Sequence, residues 1–175
     1  MSIIRSRGYT LVELTVAVGL FALIMTLVSG AYIVMIGLIQ REQGVATGID
    51  NLSFALETMT RNIRTGTNYN CGGSGDCPNG ASSFSFLNTS GTPVSFSLVG
   101  STIQETNNGI SSTITEPAVH VSSLMFYVSG TAAASGGDYT QPHVTIIISG
   151  TVSSGSGETE SFTVETGATM RGPDL

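Results

Sequence analysis

From Leu14 to Ile39 the chain runs for 26 residues without a charged side chain. About 20 apolar residues suffice to cross the hydrocarbon core of a bilayer. A secretory signal peptide has a shorter apolar region, about 7–15 residues, closed by a small-residue cleavage site. Here the run is longer and is followed by Gln40-Arg41-Glu42-Gln43. Arg5 and Arg7 precede it, so the positive-inside bias holds the N-terminus in the cytoplasm and places the remainder outside. A single-span membrane helix, with the bulk of the chain beyond it, is the first expectation.

Glu13 complicates that picture, because it is the one charged residue between Arg7 and Arg41. A carboxylate near the end of an apolar helix costs a few kcal/mol or less, and more towards the centre. An acid at such a depth either snorkels to the interface or has a partner.

Beyond Ile39 the helical pattern continues with a new character. Val45, Ile49, Leu52, Leu56, Met59 and Ile63 recur at spacings of three and four, which predicts one apolar stripe on a polar helix. Glu57 and Arg61 are placed to pair on its exposed side. The spacing predicts one helix from about Thr10 to Arg64, weakened at Gly44 and Gly48 and stopped near Gly66. Ser29-Gly30, with Gly19 and Gly37 nearby, marks where it could unwind. The second half reads as short strands over Ser82–Leu87, Pro93–Val99, Ser101–Glu105, Val121–Ser129, His143–Gly150 and Glu160–Thr166, with loops at 130–137 and 153–157. Tight Gly turns between short strands favour an antiparallel sheet. The fold class expected is therefore α+β, a long N-terminal helix whose outer half packs on an antiparallel β-sheet head.

Cys71 and Cys77 sit close together in a Gly/Ser loop of a segment expected outside the cytoplasm. That reads as a small disulfide loop, with two free thiols or half of a metal site as the alternatives. No third Cys exists, and His120 and His143 lie far away without ligand spacing. From Thr67 onward Arg171 is the lone base against eight acids, a formal charge of −7. Such a head repels nucleic acid in bulk, since that affinity rests on Lys and Arg neutralising phosphates.

Gly8-Tyr9-Thr10-Leu11-Val12-Glu13-Leu14 resembles the prepilin peptidase site of type IV pilins and pseudopilins. In that family a short basic leader ends in Gly, the next residue is usually Phe, and a Glu stands fifth in the mature chain. The resemblance implies cleavage between Gly8 and Tyr9, N-methylation of Tyr9, and pairing of Glu13 with the terminal amine of a neighbouring subunit. Tyr9 departs from the usual Phe but keeps an aromatic. The implied organisation is a leader over residues 1–8, a membrane and assembly helix over 9–40, an amphipathic helix over 41–66 and a β-rich extracytoplasmic head over 67–175.

The partners implied are the prepilin peptidase/methyltransferase, a major pilin with other minor pilins or pseudopilins, an inner-membrane assembly platform and membrane lipid. The chain would sit in the cytoplasmic membrane with its head outside, then enter a surface or periplasmic filament. Three further stretches are similar to the J-type pseudopilin and W-type minor pilin families: Phe54–Arg64, Leu124–Tyr127 and Glu165–Arg171. They favour a minor subunit. The rival reading is an anchored adhesin or receptor that never polymerises. No Gly-x-Ser-x-Gly elbow, phosphate loop or metal-spaced cluster is present, so neither an enzyme nor a cofactor is expected.

Overall fold

The computed structural model describes residues 9–73, 75–132, 140–154 and 157–171. Its first element is a single helix, α1, Leu11–Thr65, of 55 residues. It runs unbroken through Ser29-Gly30, so the expected weak point is ordinary helix here. Hydroxyls within its apolar stretch are satisfied by the helix's own carbonyls: Thr26 Oγ1 donates to Leu23 O at 2.8 Å and Ser29 Oγ to Met25 O at 2.7 Å. Such back-bonding lets a polar side chain sit where no water is available to pair it. The chain divides into two compact units, one ending at Gln40 and one beginning at Arg41.

The unit from Arg41 onward holds two antiparallel sheets. The first contains β1 (Thr67–Cys71), β3 (Ser83–Leu87), β4 (Pro93–Val99), β5 (Thr102–Asn107) and β6 (Ile110–Thr113), in that spatial order. The second contains β2 (Cys77–Ala81), β7 (Val119–Ser129), β8 (His143–Ser153) and β9 (Thr159–Thr169), also in that order. The sequence reading gave one sheet and missed β1, β2 and β6. For β6 the signal was present: Asn108 and Gly109 both take positive φ, 51° and 81°, between paired Asn107 and Ile110. Asn-Gly is the favoured pair for such a two-residue hairpin.

Strand β7 shows how register controls burial. Val119 and Val121 point inward, then Leu124, Phe126 and Val128 do. The parity change falls where the pairing skips from Val121–Gly150 to Ser123–Ser149, leaving Ser122 as an extra residue. A bulge of this kind moves every later side chain to the other face. Along β8, unbroken alternation buries Val144, Ile146, Ile148 and Val152. Phe84 of the first sheet stacks on Phe126 of the second with ring centroids 5.5 Å apart, joining the two sheets in one core.

The helix face that meets this core is rotated from the expected stripe. Gly48, Leu52, Ala55, Met59 and Ile63 are buried, while Ile49 is 49% exposed and Leu56 only partly covered. Small residues decide the matter. A Cβ added at Gly48 would overlap Val152 Cγ1 and lie 3.1 Å from its Cγ2. Gly48 therefore serves close approach to β8, a stronger constraint than its effect on helix propensity. Gly66 does follow the helix end, but for another reason than the one expected. It does not take the left-handed conformation, which falls instead to Asn68 at φ 54°. It is buried against Phe86, where a Cβ would come within 2.9 Å of Cε2. The Glu57–Arg61 pair is not formed; among the described residues only Arg41 makes ion pairs.

Candidate functional site

The unit ending at Gln40 is a helix with an apolar surface on every side. Its large hydrophobic residues from Leu11 to Ile39 are all exposed, Leu11 at 79% and Ile33 at 71% among them. Exposed apolar surface of this extent marks a contact with lipid or with other protein. The helix is long and apolar enough to cross a membrane.

Its first turn holds the residues that the sequence singled out. Gly8, with the leader over residues 1–8, lies outside the described residues. Tyr9 precedes the helix and is 84% exposed. Thr10 is the N-cap: its Oγ1 accepts the Glu13 N–H at 3.2 Å, and its carbonyl accepts from Leu14 N at 3.2 Å. Glu13 thus occupies the third helical position behind a capping Thr, the pattern of a capping box. Thr-x-x-Glu was legible as such in the sequence, yet sequence reasoning did not use it. Its carboxylate also lies at the positive end of the helix dipole, which favours a negative charge there. No ion pair reaches Glu13 among the described residues.

The second pair of singled-out residues lies in the other unit. Cys71 and Cys77 are joined by a disulfide, with Cα atoms 5.8 Å apart. Cys71 ends β1 and Cys77 opens β2, so the bridge ties the edge of one sheet to the edge of the other. Between them Asp76 accepts from the N–H and hydroxyl of Thr131, at 2.9 and 2.7 Å, just past β7. The six-residue separation showed which cysteines could meet, but nothing local showed that they sit on different sheets.

Three other arrangements escaped the sequence reading. Arg41 pairs with Glu158, at 2.8 Å, and with Glu160, tying the helix to the start of β9. The Glu160 hydrogen bond, then the charges of Glu158 and Glu160, raise the Arg41 pKa above its already high value. Tyr69 Oη donates to the Ile63 carbonyl at 2.6 Å, alongside the Gly66 N–H at 2.9 Å, so that carbonyl at the helix end accepts twice; burial pushes the Tyr69 hydroxyl up to about 12. Arg171 N–H donates to the Arg64 carbonyl at 2.9 Å, bringing the far end of the chain onto the last turn of α1. His120 and His143 are exposed and face hydroxyls of Ser101 and Thr169, at 3.3 and 3.0 Å.

No protein-family model, curated protein or solved structure matches this chain.

Proposed function

We propose that this chain is a type IV pilin-like subunit, of the minor pilin or pseudopilin kind, that enters a pilus or secretion filament from the cytoplasmic membrane. One observation carries the reading: the part of α1 up to Gln40, apolar and exposed on all sides, has its single carboxylate, Glu13, in the first turn. Lipid alone satisfies the apolar surface but gives no use to the acid. A bundle of such helices satisfies both, because the terminal amine of one subunit can neutralise Glu13 of the next. The pair would also set axial register, since apolar helices slide past one another with little preference. Processing would follow from the Gly8–Tyr9 junction, with prepilin peptidase cleaving and methylating there. The α+β head agrees with a subunit displayed outside the membrane, and the proposed partners are the major pilin, other minor subunits and the assembly platform.

The capping geometry favours a second reading. Thr10 Oγ1 caps the Glu13 N–H within one chain, and Glu13 stands where a capping-box carboxylate would return the bond. An anchored receptor that never polymerises could use Glu13 for that alone. Glu13→Gln separates the two, because Gln also serves at that capping position while losing the charge. A buried ammonium left without its partner is costly. In the filament reading cleavage, insertion and head folding persist while the chain disappears from the sheared surface fraction. Normal incorporation of Glu13→Gln would remove the charge-pairing mechanism. Absence of the unmutated chain from every sheared fibre would remove the subunit reading itself.

A further inference from the structure

Of the arginines in the unit from Arg41 onward, Arg41 is engaged by Glu158 and Glu160. The other three described ones converge. Arg61, Arg64 and Arg171 line one groove of about 220 Å³, and all three are exposed. Beyond the Arg64–Arg171 pair lies a second depression of about 420 Å³, bordered by Gln141 and Thr169. The hydrogen bond from Arg171 N–H to the Arg64 carbonyl fixes the last described residue against α1 and holds the two arginines side by side. None of the three forms an ion pair among the described residues, although Glu57 also lines the groove. Cations near a helix C-terminus are favoured by its dipole, which accounts for Arg61 and Arg64. Arg171, from a distant part of the chain, is brought into the same field by its hydrogen bond to the Arg64 carbonyl.

We propose that these three arginines form a binding site for a small oxyanion ligand bearing carboxylate or phosphate groups. The guanidinium fork matches both groups through paired charge-assisted hydrogen bonds. The acidic balance of the surrounding head limits the ligand's size. A long polyanion would meet repulsion beyond the cluster, whereas a small anion fits within the two depressions and feels mainly the arginines.

The test uses the full chain in detergent, with arginine side-chain Nε–Hε signals followed by NMR during titration with inorganic phosphate and, separately, citrate. The expected result is a saturable shift of Arg61, Arg64 and Arg171 with at least one probe, while Arg41, already paired, stays still. The probe that saturates at lower concentration identifies the preferred group. Arg64→Lys/Arg171→Lys keeps the charge but removes two forks, and should weaken binding by about tenfold or more with melting unchanged. Arg171→Gln, near the chain end, provides the same loss should the double variant fold poorly. Shifts that never saturate, equal movement of Arg41, or undiminished binding in both variants would overturn the assignment.

Discussion

Gly48→Ala is a substitution whose sign tests the packing of helix on sheet. On an exposed helix, Ala in place of Gly stabilises by about 1 kcal/mol through propensity alone. At Gly48 the new methyl would overlap Val152 Cγ1 and crowd Cγ2 and Cβ at 3.1 and 3.2 Å. Val152 has little room to yield. It is 2% exposed, its β-branched side chain is stiff at χ1, and its strand is hydrogen-bonded on both sides, to Val119 and Glu160. Overpacking of this kind costs about 1–3 kcal/mol. The net expectation is a loss of about 0–2 kcal/mol, or up to several degrees in Tm for a unit of this size. Val152→Ala alone opens a small cavity and should also destabilise, by about 1–3 kcal/mol. In that background, however, the methyl at position 48 finds space, so Gly48→Ala should become neutral or stabilising. The four proteins form a double-mutant cycle with a coupling of about 1–3 kcal/mol. Urea unfolding followed by near-ultraviolet circular dichroism on detergent-solubilised protein measures it. A urea midpoint that rises on Gly48→Ala in the unmutated background, with additive behaviour in the double variant, would refute the close approach of α1 to β8.

The disulfide offers a second test. Cys71→Ser/Cys77→Ser should lower stability by about 2 kcal/mol, the chain-entropy value for so short a loop; the expected signature is a lower urea midpoint, matched by the unmutated protein in reductant. Tyr69 gives a pH dependence. Its hydroxyl is raised from about 10 to about 12 in the folded chain, so its contribution is complete below pH about 10 and is lost as pH rises towards 12. Tyr69→Phe should flatten that alkaline loss and cost about 1 kcal/mol at neutral pH, because the buried hydrogen bond to the Ile63 carbonyl is lost while Gly66 N–H still occupies that oxygen. For processing, the intact mass of membrane-extracted protein should correspond to a chain starting at methylated Tyr9, and Gly8→Val should retain the leader; a mass that keeps residues 1–8 in a host with active peptidase would contradict the cleavage site.

The sequence by itself determined the features governed by near neighbours. A charge-free run fixed the existence and extent of the apolar helix, because the helical period and bilayer thickness are local constraints. Thr10-x-x-Glu13 likewise specified a helix start that needs nothing from the rest of the chain. The cores of β3, β4, β5, β7, β8 and β9 were legible from alternation, which is again local. What tertiary structure decided were the relations between distant segments. Whether the nine strands among the described residues make one sheet or two depends on pairings that no periodicity encodes. The inward face of α1 turned on Gly48 meeting Val152, more than a hundred residues apart, so small residues displaced Ile49 from a stripe that hydrophobicity alone had assigned to it. Ser122 reversed the parity of β7 because its partner strand skipped it. The cysteine bridge acquired its role only when β1 and β2 proved to lie on different sheets. Arg171 reached Arg64 for the same reason: a hydrogen bond between residues at opposite ends of a fold exists only after the core between them has packed.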